Sequence, residues 1–181
     1  MASEIIVNTI KAPTTGANAN KVIIPSGVTL DASAGTLRPS AGAVVQMTHS
    51  TTAGNASGAN SSTFVDTGVS VSITPKYATS KILVIVHQVM AVGTDQGHTR
   101  VDFRCIESGG TEIYRMDYHG QDGSSNLTQR NFSGSGVFQC SSTNALTFKT
   151  QAQKATTTEG TWNPLWYVDS IHTIQALEIA Q

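Results

Sequence analysis

The sequence predicts an all-β protein, and three observations carry that reading. Val and Ile far outnumber Leu, and β-branched side chains suit a pleated, half-buried surface better than a helix. Short apolar segments recur between clusters of Gly, Asn and Ser, the punctuation of a β-sandwich. Polarity comes from Thr, Ser, Asn, Gln and Gly rather than from charge: only 13% of the 181 residues are charged, and the formal net charge is −1. So even a balance lacks the basic face of a nucleic-acid binder, and no partner of that kind is expected. No stretch approaches about 18 consecutive apolar residues, so no membrane insertion is expected. Met1–Pro13 has no basic region followed by a long apolar run, which argues against a signal peptide.

Three regions differ in texture. Residues 1–21 hold one apolar strand candidate, Glu4–Ile10, followed by a stretch rich in Ala, Asn, Thr and Gly with too few large side chains for a core. Residues 22–45 are short apolar pieces (Val22–Ile24, Val28–Leu30, Thr36-Leu37, Val44-Val45) separated by turn signals, including Pro25-Ser26-Gly27 and Pro39–Gly42. Such pieces cannot bury themselves within one chain, but they can when several copies wind together. An extended linker is the plain alternative.

Residues 46–181 read as one β domain. Its candidate strands are Thr63–Asp66, Val69–Thr74, Lys81–Val92, His98–Ile106, Thr111–Tyr118, Phe132–Cys140, Ala145–Gln151, Leu165–Val168 and Ile171–Ala180. From Ile82 to Val92 the chain is nearly unbroken apolar, and the closing run is similar, so both faces of these strands should be covered. An isolated sandwich covers one face only. The second face implies a subunit interface, expected at Ile82, Val84, Val86, Ile174 and Leu177.

The sharpest local signal is a hairpin around Glu107-Ser108-Gly109-Gly110. A Ser108-Gly109 loop sets Asp102 opposite Arg115 and Arg100 opposite Asp117. A Gly109-Gly110 loop sets Asp102 opposite Asp117 and Arg104 opposite Arg115. Opposed unlike charges favour the first register.

Catalytic signatures are scarce. His98, Asp102, Asp117 and His119 share a hairpin face, but Arg100, Arg104 and Arg115 share it too, so ion pairs are expected there and no metal. His87 lies in an apolar run, where a core or interface histidine is the default. Scattered acids form no glycosidase-type pair, and no serine sits in a nucleophile elbow. Cys105 alternates onto the apolar face, as a small core residue does. Cys105 and Cys140 are too few for a disulfide scaffold and lack zinc spacing, and whether they pair stays open. The expectation is no enzyme, no cofactor and no metal.

Binding signals are better. Trp162, Trp166 and Tyr167 crowd Gly160–Tyr167, and large aromatic faces beside Pro164 could stack on sugar rings. The polar segment His119–Leu127 offers Gln121, Asp122 and Asn126 to hydroxyl groups. These residues form the candidate glycan or receptor site, although Trp166 is more simply a core residue and Trp162 suits either role. The Ile5, Ile6, Val7 and Ile10 side chains mark a strand that could add to another protein's sheet, a candidate attachment segment.

Val7–Pro13, Lys21–Ser33 and Pro39–Gly42 resemble the opening of tailed-bacteriophage fibre proteins, notably those of marine and cyanobacterial phages. Thr67–Lys76, Ser80–Val84 and Gln175–Gln181 are similar to their C-terminal β domains. The resemblance implies a homotrimeric virion protein, made in the host cytoplasm, with three parts. These are an N-terminal attachment arm (1–21), a short intertwined β neck (22–45) and a C-terminal jelly-roll-like β-sandwich head (46–181) of the tumour-necrosis-factor-like type. Its partners would be other virion proteins and a host-surface glycan. Many fibres carry a much longer shaft, so the same construction would equally serve a capsid decoration or head fibre with a structural or weakly adhesive role.

Overall fold

The computed structural model describes residues 14–16, 26, 39–53, 62–92, 97–122, 128–154 and 171–181. Among them there is no helix, and the class is all-β as expected. Eight strands follow in order: β1 (Val44–Ala53), β2 (Val65–Ile73), β3 (Lys81–Val92), β4 (Gly97–Glu107), β5 (Glu112–Asp122), β6 (Thr128–Gln139), β7 (Leu146–Lys154) and β8 (Ile171–Ile179). They form two four-stranded sheets, β1-β8-β3-β6 (sheet A) and β2-β7-β4-β5 (sheet B), with every pairing antiparallel. This order is that of a double-sheet jelly roll.

The sheets close over an apolar core to which strands of both contribute alternate residues: Val69, Val71 and Ile73 of β2, Val101 and Phe103 of β4, and Phe148 of β7 from one side. From the other come Ile82, Val84 and Val86 of β3, Phe132 of β6, and Ile174 and Ala176 of β8. Two aromatic pairs bridge the sheets, Phe103 with Phe132 at 5.1 Å and Phe138 with Phe148 at 5.6 Å between ring centroids. At the β5–β6 side the sheets approach closely, because β6 carries glycine where the partner's atoms lie. A Cβ on Gly134 would sit 2.2 Å from the Tyr114 ring, and one on Gly136 would sit 2.3 Å from the Ile113 carbonyl oxygen.

Several expectations change here. Ile82, Val84, Val86 and Ile174 are at most 1% exposed within the single chain, so their side chains fill its own core and are not the subunit interface. Val44 and Val45 belong to β1, and the compact unit spans Pro39–Gln181, so the head begins before Gln46. Thr63–Asp66 and Val69–Thr74 merge into one strand, β2, whose pairing with β7 slips between Asp66 and Ser70 around Gly68, at φ 86°.

The β4–β5 hairpin takes the register that sets like charges opposite, Asp102 with Asp117 and Arg104 with Arg115. Its loop is three residues, Ser108-Gly109-Gly110. Gly110 donates its N–H to the Glu107 carbonyl (2.8 Å) and takes φ 103°, and a register shift follows between Cys105 and Ile106. Like charges are tolerated because their partners lie sideways along the sheet, as described below. Cys105 and Cys140 are both buried and free. Burial pushes the Cys105 thiol up to about 12, which suits an inert core residue.

Candidate subunit interface and binding surfaces

A two-sheet sandwich has two outer faces, and here they differ in kind. On sheet B the outward side chains are charged and laced together across all four strands. The Lys149 ammonium (2.8 Å) and the Gln151 amide (2.6 Å) donate to Asp66 and hold its carboxyl below the usual range. Arg104 donates to Gln151 Oε1 through Nε (2.9 Å) and Nη2 (2.7 Å), and its other nitrogen lies 3.6 Å from Glu112. Arg115 closes the line on Glu112 at 2.7 Å, while the Gln153 amide donates to Asp102 at 2.9 Å. The Arg104 guanidinium stacks 3.7 Å above the Phe64 ring, and that of Arg115 lies 5.2 Å from it. These lateral partners, from β7 and from the segment before β2, offset the opposed like charges of the hairpin.

On sheet A the described outward side chains, Lys81 apart, are apolar or uncharged. Val137, Leu83, Leu177 and Met47 lie directly opposite one another, strand to strand, in one row across β6, β3, β8 and β1. Met47 is 56% and Val137 57% exposed. Ile85 stands one step along, and Val44 and Ile171, also exposed, flank the ends of the row's neighbours on β1 and β8. A shallow depression of about 460 Å³ opens over Leu83, Ile85, His87, Ser133 and Ser135. The strands of sheet A contain a single carboxylate, Glu178, and it points inward at 0% exposure. Lys81 is the one formal charge among the described side chains of this outer face.

An exposed apolar row spanning an entire sheet is the kind of patch that marks a contact with another protein. The residues that form it are Met47, Leu83, Ile85, Val137 and Leu177; of the sequence-expected interface set only Leu177 is among them. Two apolar faces on β3 were legible in the sequence, but not which one turns inward.

The remaining expected sites are placed only in part. Gln121 and Asp122 end β5, paired with His98 and Gly97 of β4. Asn126, Trp162, Trp166 and Tyr167 lie outside the described residues, as do Ile5, Ile6, Val7 and Ile10. His87 stands on the outer face of β3, with Nδ1 2.8 Å from Ser133 Oγ. Missed altogether was Glu178, whose carboxylate collects donors from Gln46, Lys76, Tyr77 and Ser80.

No family model and no curated protein matches the chain. Solved structures with a similar arrangement include dimeric latent PorU from Porphyromonas gingivalis, 14% identical, TM-score 0.42, covering 78% of this chain and 14% of PorU. The VP2 subviral particle of infectious bursal disease virus is 10% identical, TM-score 0.38, covering 76% of this chain and 33% of that one. T=1 particles derived from the same virus are 13% identical, TM-score 0.38, covering 87% and 41%. This chain spans less than half the length of each, and likenesses at these scores identify no function.

Proposed function

We propose that this chain is a structural virion protein, without catalytic activity, that works as a homotrimer. The N-terminal arm joins it to the particle and the jelly-roll head faces outward toward the host surface. The observation that supports this most is the contrast between the two outer faces: sheet B is charged and internally paired, as a solvated face is, whereas the described outer face of sheet A carries an apolar row across all four strands and, besides Lys81, no formal charge. The occupant of sheet A is further copies of the same chain. Four strands about 4.8 Å apart and nine residues at about 3.4 Å each give a face of about 600 Å², close to the ~800 Å² per partner of a stable interface. Around a three-fold axis each copy sets this face against a different part of its neighbour, and almost no charge stands on it to oppose burial in that contact. The sequence resemblance to phage fibres supplies the trimer and the virion setting.

Locating the protein on assembled particles tests the role. Antibody label on tails supports host attachment, label on capsid faces or vertices supports decoration, and absence from particles removes the virion reading. Deleting Met1–Lys21 should leave folded trimers that no longer join particles. Host binding is expected through Trp162, Tyr167, Gln121, Asp122 and Asn126, with three copies per fibre strengthening a weak single site. Trp162→Ala should then cut adsorption while leaving the melting temperature nearly unchanged. Shortened host polysaccharide after incubation with the purified protein would overturn the non-catalytic assignment.

A further inference from the structure

We infer that copies of this chain meet through unlike ends of sheet A: Met47, on the β1 edge of one copy, seats in the depression beside β6 of the next. The inference rests on the reading of this face as the subunit interface of a three-fold assembly. Among the described residues the large apolar side chains that stand exposed are Val44, Met47, Ile85, Val137 and Ile171, and all of them belong to strands of sheet A. Protruding side chain and receiving hollow are therefore both found on this one sheet.

Symmetry decides which parts of it meet. Copies in a closed ring touch through unlike patches. The lateral edges of sheet A are β1 and β6. With the arm at one end of the assembly and the head at the other, β1, which follows the neck, runs along the axis. A one-third turn about that axis brings the β6 edge of one copy beside the β1 edge of the next, never β1 to β1. Rotation alone relates the copies, so equivalent residues keep the same height. Met47 shares one row with Leu83 and Val137, and so arrives level with those residues of its neighbour.

The two ends also suit each other in shape. Met47 is 56% exposed, and its unbranched thioether adapts to an irregular hollow. At the other end β6 places the small Ser133 and Ser135 beside His87 and Ile85 of β3, and the depression of about 460 Å³ opens over them, with Leu83 in its wall. A larger outward residue on β6 at these two positions would fill that space.

Paired cysteines in the full chain test the contact. Within one chain Met47 and Ser135 stand three strand spacings apart, at least about 14 Å, beyond the Cα separation of about 7 Å that a disulfide spans. A bond between them therefore joins two copies. Met47→Cys combined with Ser135→Cys is oxidised with diamide, which takes up the two thiol hydrogens as the S–S bond forms. The double variant is expected to run as a covalent trimer on non-reducing electrophoresis and to return to single chains with reductant. Each single variant, and the wild type with its buried Cys105 and Cys140, should stay as single chains. Covalent dimers from Met47→Cys alone would show that like ends meet and overturn the inference. A double variant that stays unlinked while light scattering gives a trimeric mass overturns it too, and leaves the interface reading standing. A monomeric mass removes the interface reading itself, and this contact with it.

Discussion

The Glu178 carboxylate accepts the Ser80 hydroxyl at 2.7 Å, tying β8 to the connection between β2 and β3 from inside the sandwich. The Lys76 and Tyr77 backbone amides (2.9 and 3.1 Å) and the Gln46 side chain (2.6 Å) complete the cage, and the same Gln46 amide reaches the Thr74 carbonyl at 2.7 Å. One acid thereby gathers the start of β1, the β2–β3 connection and the last strand.

Burial alone would push this carboxyl up, but its donors outweigh burial and hold its pKa below the ordinary 4.5. A carboxyl lowered in the folded state adds stability that is complete above about 4.5 and lost as pH falls through the folded value. Thermal melts between pH 7 and pH 3 should show that loss, and Glu178→Gln should flatten it. Glu178→Ala strands several donors and should cost at least about 2 kcal/mol.

His172 works in a higher window. It is fully buried, and Val89 donates its backbone N–H to Nδ1 at 3.3 Å. Burial, and then the nearby His87 imidazole, hold its pKa below the usual 6.5. As pH falls the unfolded chain takes up the proton first, so the contribution is complete above about 6.5 and declines below it. Melts from pH 8 to 5 should show the decline in the wild type, and His172→Gln should lessen its slope. An equal slope in the variant assigns the decline to other groups.

The two glycines of β6 should respond unequally. Gly134→Ala drives a methyl toward the Tyr114 ring, a side chain that can swing away, and should cost about 1–3 kcal/mol. Gly136→Ala drives it into the Ile113 backbone carbonyl, which cannot move without β5, and should cost more. Adding Tyr114→Leu should recover part of the loss at Gly134 and none at Gly136. Denaturant midpoints measure all three.

How much of this was legible follows from what each side chain can report alone. β3 was readable to its ends, Lys81 and Val92, because an apolar run between a turn and a glycine has few other solutions. Which of its faces turns inward was not readable, since Ile82, Val84 and Val86 on one side match Leu83 and Ile85 on the other. Their partners on β6 and β8 decide it. The hairpin register went against simple charge pairing because Gln151 and Gln153, which satisfy Arg104 and Asp102, are distant in sequence and neighbours only in the sheet. β1 escaped notice because Gln46, Thr48 and Ser50 break the apolar alternation, being polar residues on the side that faces β2. Glu178 drew no reading of its own, because between Leu177 and Ile179 nothing local shows the amides of Lys76 and Tyr77 waiting for it.

The apolar row across sheet A makes the central claim directly measurable. Light scattering of the full chain near neutral pH is predicted to give about three times 19.0 kDa. The double variant Leu83→Asp, Val137→Asp should give a single 19.0 kDa chain with an unchanged strand spectrum, because both side chains stand outside the core. A wild type that runs as a monomer, or a folded variant that keeps the wild-type mass, would contradict the assignment of this face to subunit contact.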